Sequence, residues 1–343
     1  MDEILSLPKA DVHLHLQSML DVNTLFDIAQ RTNLSTSLSK TEFELKLQNF
    51  SCLNDLFDLL EVIEAIPTSY IDLYHALMPY YARLNSQNVN YIEPSIYFGS
   101  FNLHPSEVLK GILQAASEAE GLYGIKTGLI YLFGRGESEK KMKENLSVLQ
   151  QDKECFVGIN AAGNEMKMTA KQIKPVYEYA KNLGFCKDGN ATIHTGEEAP
   201  VEQIISSLYH LDLKRIDHGI RAHEDPYLLK FLGDCNFSLA MCPVSNKKLK
   251  VCERFCSGKY VYDQFIRSGC KISINSDDPY LINSFLNDVY LDFYNYYEDR
   301  LPNGMRTYVD LIKNAYSMSF LSDYSKANYL NSLNHQLNKL NLF

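Results

Sequence analysis

Short apolar runs alternate with amphipathic stretches along the whole of this 343-residue chain. Eight of the runs have the length of a β-strand, and the stretches between them carry apolar residues at helical spacing. The predicted strands are 10–16, 89–97, 125–133, 155–160, 191–194, 215–218, 237–241 and 271–275, and the main predicted helices are 105–120, 138–150, 169–183, 201–208, 225–232 and 260–267. This repeated strand–helix alternation predicts an α/β fold with a parallel sheet closed into a (β/α)8 TIM barrel.

Two regions exceed what a minimal barrel needs. Residues 33–85 are predicted to form a helical insertion after the first strand and its helix, and residues 284–343 a helical tail rich in Asn, Tyr and Leu. No Pro/Gly/Ser-rich linker divides the sequence, so residues 1–343 are interpreted as one barrel domain. One apolar face of the insertion contains Leu53, Leu56 and Phe57, which could roof a pocket or serve ordinary helix packing.

Composition and charge narrow the class of protein. With 45% hydrophobic residues, 23 Tyr and 17 Phe, the chain can bury a large core although it has no Trp. Its net charge of −9 argues against broad binding to nucleic acid or to an anionic membrane. No apolar window approaches the ~18 residues of a membrane span, and the first residues do not resemble a signal peptide.

The eight cysteines are scattered and include no CxxC motif. This pattern is typical of free thiols in a reducing compartment, and it favours a cytoplasmic location. A disulfide or a thiolate metal site at Cys252 and Cys256, the closest pair, is the alternative.

Chemically active side chains stand where four of the predicted strands end. The segments are His13-Leu14-His15, His194-Thr195-Gly196-Glu197, Asp217-His218-Gly219 and Ser276-Asp277-Asp278-Pro279. In a barrel of this kind the carboxyl ends of the strands form the mouth of the active site. The pattern therefore predicts one mononuclear metal site assembled from distant parts of the chain.

Histidines dominate the first half of this set. His13 and His15 face the same way, because alternate residues of a strand share a face. His194 could complete three histidines, a donor set used by catalytic Zn²⁺. Glu197 follows just beyond Gly196, where a carboxylate is well placed for proton transfer. The alternative interpretation of Glu197 is an acidic residue in the first turn of a helix, stabilised there by the helix dipole.

The other two segments leave more than one interpretation open. His218 could bind the metal or lie behind it and polarise a water molecule. Asp277 and Asp278 repel each other unless a cation or separate roles keep them apart, so Asp277 is assigned to the metal and Asp278 to the substrate. A turn or helix cap is the alternative for this pair. Asp217 is interpreted as a surface or helix-packing group.

Taken together, these segments resemble the adenosine deaminase family of zinc aminohydrolases. The matching stretches are Leu7 to Leu16, Gly163-Asn164-Glu165, His194 to Glu197, Arg215 to Arg221 followed by Glu224-Asp225-Pro226, Cys242-Pro243-Val244-Ser245-Asn246 and Ser276 to Pro279. They follow the family order from residue 7 to residue 279 and so cover most of the chain. The HxE and PCxxC signature of the other zinc deaminases is absent from the sequence.

The resemblance implies specific roles for these residues. It implies one Zn²⁺ per chain, bound by His13, His15, His194 and Asp277. It further implies that Glu197 donates a proton to purine N1, that His218 and Asp278 orient or deprotonate the attacking water, and that Gly163 and Asp278 contact the purine ring.

Two positions depart from the family pattern. Where the family usually has an acidic residue or Asn followed by Gly, this chain has Gln17 and Ser18. In the family, the side chain at the place of Gln17 helps to recognise what is attached to the purine, so the presence of Gln leaves the substrate open. Ser18 could contact a phosphate but is favoured as a turn residue. The second departure is Glu93-Pro94-Ser95, because in the family an Arg often follows a Glu-Leu pair in this strand. Pro94 is expected to cause a bulge or to end the strand.

The expected activity is zinc-dependent hydrolytic deamination of a 6-aminopurine, with adenosine or a close derivative as first choice of substrate. Free adenine or an N6-modified adenine nucleotide is the alternative substrate. A catalytically inactive purine-binding protein and a barrel hydrolase acting on a lactone or phosphoester are the alternatives of other classes. The only predicted partner is a small-molecule purine, and the sequence leaves the oligomeric state open.

Overall fold

The computed structural model describes residues 1–32, 38–298 and 300–342. Nine parallel strands of these residues form a central barrel. The first residues of the predicted insertion, 33–37, and residues 299 and 343 of the predicted tail lie outside the described residues. The strands are β1 Lys9–His15, β2 Val89–Ile96, β3 Lys126–Thr127, β4 Leu129–Gly134, β5 Phe156–Ala162, β6 His194–Thr195, β7 Arg215–His218, β8 Ser238–Met241 and β9 Lys271–Ile274.

The strands form two parallel sheets that are joined at both edges. One sheet has the order β1-β2-β4-β5, with β3 also pairing with β2, and the other has the order β6-β7-β8-β9. Ile159 of β5 pairs with Ala191 just before β6, and Leu14 of β1 pairs with Asp277 just after β9. Because β3 and β4 share one neighbour and act as one interrupted strand, the ring has eight strand positions and closes as a barrel.

Helices surround the barrel, and six of them lie where the amphipathic pattern predicts the main helices. They are α1 Asp2–Leu5, α2 Val22–Arg31, α3 Lys40–Leu47, α4 Leu53–Ala65, α5 Tyr70–Ser86, α6 Pro105–Tyr123, α7 Glu139–Val148, α8 Ala170–Leu183, α9 Val201–His210, α10 Pro226–Asp234, α11 Pro243–Lys248, α12 Val251–Phe255, α13 Tyr262–Arg267, α14 Pro279–Ile282, α15 Leu286–Tyr297, α16 Met305–Met318 and α17 Asp323–Lys339. None of the helices formed by described residues has the combined length and apolarity that a membrane crossing needs.

The helical tail contributes to barrel closure. Helix α16 packs against β1 and β9, the two strands that meet at the closing edge. The side-chain amide of Asn314 donates to the carbonyl of Ile272 in β9 at 2.9 Å. This part of the tail therefore covers the seam of the barrel.

A buried ion pair lies inside the barrel. Arg215 is fully buried, its Nη1 lies 2.5 Å from Oε2 of Glu93, and its Nη2 donates to the carbonyl of Val12 at 2.7 Å. Two buried charges need such a partner and further hydrogen bonds to offset their lost hydration. The pair therefore ties β7 to β2 and β1 beneath the mouth of the barrel.

Strand β2 continues through Pro94 to Ile96, so the expectation that this proline ends the strand is wrong. The register nevertheless shifts beside it, because Asp11 pairs with Ile92 whereas Leu14 pairs with Pro94. Strand β1 thus has one extra residue opposite the proline, which lacks the N–H that a regular ladder needs.

Candidate metal centre and cavity

Three histidines and one aspartate converge at the mouth of the barrel. Nε2 of His194 lies 3.1 Å from Nε2 of His13 and 3.2 Å from Nε2 of His15. Oδ1 of Asp277 lies 3.3 Å from Nε2 of His13 and 3.4 Å from Nε2 of His15. The fold brings together the four predicted metal-binding side chains, which form one group able to hold a metal ion.

The spacing and protonation of these donors suit a metal ion. Four donors at 2.0–2.1 Å from a tetrahedral centre stand about 3.3–3.4 Å apart, close to the distances in this group. Nδ1 of His13 lies 3.2 Å from the carbonyl oxygen of Ala240, and Nδ1 of His194 lies 3.3 Å from Oδ1 of Asn160. Because both partners are acceptors, each Nδ1 carries the proton and each Nε2 presents a lone pair. Oδ1 of Asp277 is buried without a hydrogen-bond donor among the described residues, as expected for a ligand of a cation.

The backbone is strained where two of the candidate residues stand. Asp277 has a φ of +62° and His218 a φ of +63°, in the left-handed region that non-glycine residues rarely adopt. Asp277 is held there by its backbone hydrogen bonds to β1, from its N–H to the carbonyl of His13 at 3.0 Å and from the N–H of His15 to its carbonyl at 2.9 Å. Such strain persists only where surrounding contacts fix the conformation, and it is concentrated at functional sites.

Glu197 and His218 lie beside the metal-binding group and share one partner. Nδ2 of Asn246 donates to Oε1 of Glu197 at 3.0 Å and lies 3.4 Å from Nδ1 of His218. The hydroxyl of Tyr262 donates to Oδ1 of Asn246 at 3.2 Å, which fixes the orientation of the amide. Asn246 was not among the predicted site residues, although it ends the Cys-Pro-Val-Ser-Asn stretch that carried part of the resemblance.

Burial sets the proton affinity of the side chains around the centre. It raises the pKa of Glu197 well above its usual range, and the negative charges of Asp277 and Glu165 raise it further. Burial, reinforced by the charge of His13, lowers the pKa of His218 to about 3. Burial and the adjacent Asp277 raise the pKa of Asp278 to about 7. Burial therefore favours the protonated form of the Glu197 carboxyl group and the neutral form of the His218 imidazole.

Asp217 lies behind the metal-binding histidines, so its interpretation as a surface or helix-packing group is wrong. It is buried, and its Oδ2 lies 3.6 Å from Nδ1 of His194 and accepts from Nδ2 of Asn160 at 2.8 Å. Its Oδ1 lies 3.8 Å from Nδ1 of His13 and accepts from Thr192 Oγ1 at 2.8 Å. A carboxylate placed behind metal-binding histidines orients them and increases their basicity.

A cavity opens next to the metal-binding group. Helix α4 of the insertion contributes Leu53, Leu56 and Phe57 to its wall, opposite Glu197, His218, Asp278 and the backbone turn at Gly163. Gly163 has a φ of +100°, which a residue with a side chain would adopt only with strain. The predicted roof and ring-contacting residues thus line one volume together with His15, His194 and Asp277.

Gln17 lies in a larger cavity of about 360 Å³ that also borders His15 and Gly163. Its Nε2 donates to Oε1 of Glu64 at 2.6 Å and to the carbonyl of Tyr97 at 2.9 Å. Ser18, in contrast, donates to the carbonyl of His15 at 2.7 Å, as expected for a turn residue. Glu64 was not among the predicted site residues because it lies on the buried side of a helix where apolar residues predominate.

All eight cysteines are free thiols, including Cys252 and Cys256. One of them, Cys242, lies close enough to His13, His218 and Asp277 to belong to a second possible donor group. Burial raises the pKa of the Cys242 thiol well above its usual range, which disfavours the thiolate form that binds metals.

A barrel whose mouth brings together three histidines, an aspartate and a buried glutamate has the side chains expected of a metal-dependent hydrolase. The sequence profile of the adenosine deaminase family matches residues 8–336 of this chain. The chain therefore belongs to the adenosine deaminase family, and it is a hydrolytic purine deaminase.

Known proteins of this family are similar over nearly the whole chain. An adenine deaminase of Hahella chejuensis is 29% identical over 342 residues, which are 98% of each chain. An adenine deaminase of Pseudomonas putida strain W619 is 33% identical over 289 residues, 82% of this chain and 89% of its own. The crystal structure of an adenine deaminase from Arthrobacter aurescens superposes with a TM-score of 0.88 at 25% identity, covering 97% of this chain and all 100% of the other. The resemblance and the barrel fold predicted from sequence are thereby confirmed.

Proposed function

We propose that this enzyme hydrolyses adenine, as the free base, to hypoxanthine and ammonia. The sequence alone favoured adenosine and kept free adenine as the alternative. The relatives named above are adenine deaminases, which supports the alternative. The observation that carries the proposal is the buried carboxyl group of Glu197, which lines the same cavity as His15, His194 and Asp277.

We propose Zn²⁺ as the metal, held by His13, His15, His194 and Asp277. Three imidazoles and one carboxylate are a donor set that Zn²⁺ prefers, and an amidohydrolase from Burkholderia ambifaria with the same fold contains bound Zn. When bound, Zn²⁺ supplies Lewis acidity that lowers the pKa of water and makes it a nucleophile at neutral pH.

Glu197 supplies the proton that the purine ring needs. Its carboxyl group is held by Asn246, whose amide hydrogen occupies Oε1 at 3.0 Å. The remaining oxygen can deliver a proton to ring N1 as the water oxygen adds to C6, so that negative charge does not build up on the ring. General acid catalysis of this kind contributes about 10²–10⁴-fold to rate.

His218 and Asp278 complete the proton transfers. The imidazole of His218 and the carboxylate of Asp278 can orient the attacking water, and one of them accepts its proton. The proton then passes to the amino nitrogen, which leaves as ammonia when the C6–N6 bond breaks. The water oxygen remains on C6 as the carbonyl oxygen, its remaining hydrogen returns as a proton to the carboxylate of Glu197, and hypoxanthine is released.

The cavity around Gln17 favours a free base over a nucleotide. Both hydrogens of the Gln17 amide are engaged by Glu64 and Tyr97, so this side chain has no free donor for a ribose or a phosphate. Glu61 and Glu64 line this cavity and would repel a phosphate placed beside them, whereas Arg135 and Lys167 are its cationic lining residues. Unsubstituted adenine has a ring N–H on its five-membered ring, which Glu64 can accept, whereas adenosine has none.

A substrate panel tests this function. Ammonia release would be measured with adenine, adenosine, adenosine 5′-monophosphate and its N6-methyl derivative, using zinc-loaded protein. We expect kcat/KM for adenine to exceed that for each of the others by at least about 100-fold. A preference for adenosine would restore the first choice made from sequence. Tight purine binding without turnover would instead support an inactive binding protein.

A further inference from the structure

Glu165 holds the turn that carries Glu197. Its Oε2 accepts from the backbone N–H of Gly196 at 2.7 Å, and its Oε1 accepts from the N–H groups of Glu197 at 2.9 Å and Glu198 at 3.2 Å. Glu165 is 96% buried, since only 4% of its surface is exposed, so water does not compete for these bonds. Three consecutive backbone donors thus converge on one charged acceptor, and such charge-assisted bonds are shorter and stronger than neutral ones.

The same turn is fixed on its other side by the segment after β7. The backbone N–H of Arg221 donates to the carbonyl of Gly196 at 2.9 Å, and its Nη1 donates to the carbonyl of Glu198 at 2.8 Å. Gly196 has a φ of +70°, and a Cβ there would collide with Ile204. The turn therefore has contacts on both its N–H and its carbonyl groups, and Glu165 is the acceptor for the N–H groups of residues 196, 197 and 198.

We propose that Glu165 is a positioning residue for deamination, because its carboxylate fixes the backbone that aims Glu197 at the substrate. This inference rests on the proposed function of Glu197 as the proton donor. Glu165 lies outside the metal-binding group, and its neighbour Gly163 is the member of the Gly-Asn-Glu stretch with an expected substrate contact.

The charge of Glu165 adds a second effect that a purely structural residue would lack. The groups whose charges act on Glu197 are Glu165, Glu198, Asp277 and Asp278, together with His218, whose Nδ1 lies 3.7 Å from Oε1 of Glu197. Because Glu165 is negative, it helps to keep the neighbouring carboxyl protonated. Its removal is therefore expected to let Glu197 lose its proton at a lower pH.

Arg135 balances the buried charge of Glu165. Burial lowers the pKa of Arg135, while the negative charge of Glu165 opposes that effect. The Nε and Nη1 atoms of Arg135 have no hydrogen-bond partner among the described residues. The guanidinium therefore acts on Glu165 through its field rather than through a direct ion pair.

The variants Glu165→Gln and Glu165→Asp test this role. Gln keeps the shape but turns one acceptor oxygen into an NH₂ group that repels the backbone donors, and Asp keeps the charge on a shorter side chain. Glu42→Gln is the matched control, because Glu42 also accepts a backbone N–H, that of Ser39 at 2.8 Å, on an exposed helix start. Steady-state kinetics with adenine, zinc content, the pH profile and amide hydrogen exchange at residues 196–198 would be measured for the zinc-loaded proteins.

We expect Glu165→Gln to lower kcat by about 10- to 100-fold, since small displacements of a catalytic group are costly, with KM within threefold and zinc unchanged. The alkaline limb of its pH–kcat profile should move to lower pH, and amide hydrogen exchange at residues 196–198 should accelerate. Glu165→Asp should retain the alkaline limb and lose part of kcat, and Glu42→Gln should match the parent enzyme.

Two results would overturn the inference. One is an unchanged kcat despite faster exchange at residues 196–198, and the other is a rise in KM alone, which would make Glu165 a substrate-binding residue. Failure of the proposed function is distinct, because the parent enzyme itself would then release no ammonia from any 6-aminopurine.

Discussion

The side-chain amide of Gln17 donates to the buried carboxylate of Glu64 at 2.6 Å and so connects the segment after β1 to helix α4 of the insertion. Glu64 is only 2% exposed, although it belongs to a helix with a largely apolar buried face. A buried carboxylate is costly unless it has hydrogen-bond donors. In adenine, the ring N–H would be a further donor, whereas in a nucleoside that position is blocked by the sugar.

Replacement of Glu64 by Gln should therefore reduce selectivity for the free base. We expect kcat/KM for adenine to fall by about 10- to 100-fold, the value of a hydrogen bond to a charged acceptor, with no loss for adenosine. The control is Asp58→Asn, which removes an exposed carboxylate from the same helix. An equal loss of kcat/KM for adenine and adenosine would show that Glu64 supports the cavity wall and does not recognise the free base.

The pH dependence of adenine binding should report the ionisation of Glu64. Burial raises the pKa of Glu64 to about 7, against the lowering effect of its hydrogen bonds from Gln17 and Ser100. Because only the ionised carboxylate is a full acceptor, affinity for adenine should increase as pH rises through about 7. The measurement is the inhibition constant of a non-reactive purine with a free ring N–H between pH 5.5 and 8.5. In Glu64→Gln that limb should disappear.

Glu197→Gln should separate proton donation from metal binding. Gln retains an oxygen that can accept from Asn246, so the side chain is expected to keep its place, but it has no acidic proton to deliver. We expect kcat to fall by about 10²–10⁴-fold with zinc content unchanged. Undiminished turnover at full zinc occupancy would refute the assigned role.

Removal of the metal should abolish turnover and destabilise the barrel mouth. Without a cation, the donors of His13, His15, His194 and Asp277 remain crowded at 3.1–3.4 Å, and a buried carboxylate oxygen has no partner. Dialysis against a chelator should eliminate activity and lower Tm, and one equivalent of Zn²⁺ per chain should restore both. His15→Ala is the companion variant and should bind zinc weakly before any chelator is added. Full activity in metal-free protein would exclude the proposed mechanism.

The barrel could be predicted from the sequence because its strands are buried apolar runs of characteristic length. The agreement is weakest at β6, predicted at 191–194 and observed at His194–Thr195. Residue 191 is buried and pairs with Ile159, but it forms only an isolated bridge to β5. Apolar patterning reports burial, whereas a strand also requires a continued ladder of hydrogen bonds, which depends on the neighbouring strand.

The candidate metal ligands could be grouped from the sequence because they stand at strand ends, a position that the sequence itself marks. Other residues of the site act through partners that are distant in sequence, namely Asp217, Asn246, Glu64 and Glu165. Asp217, for example, accepts a hydrogen bond from Asn160, which lies 57 residues away. Nothing in the local pattern around Asp217 indicates which side chain will lie opposite it. Glu165 and Asn246 did have a signal, since both end short stretches that resemble the family, but no function attached to them.

Asp217 offers the sharpest test of what the sequence missed. In Asp217→Asn the hydrogen bonds with Thr192 and Asn160 can persist in part, because an amide oxygen still accepts, but the negative charge behind His13 and His194 is lost. Zinc affinity should fall by about 10- to 100-fold, as is typical when a carboxylate behind metal-binding histidines is removed. Competition with a chelator of known affinity measures this directly.

The matched control for this test is Asp212→Asn, an exposed carboxylate three residues before β7 whose partner, Lys181, lies on the surface. It should bind zinc like the parent enzyme. Circular dichroism would verify that Asp217→Asn retains the fold. The Nε of Arg215 lies 3.4 Å from Oδ1 of Asp217, and Arg215 keeps Glu93 as its other partner at 2.5 Å. Unchanged zinc affinity in a folded Asp217→Asn enzyme would mean that Asn160 and the carbonyl of Ala240 orient the two histidines without help from the charge.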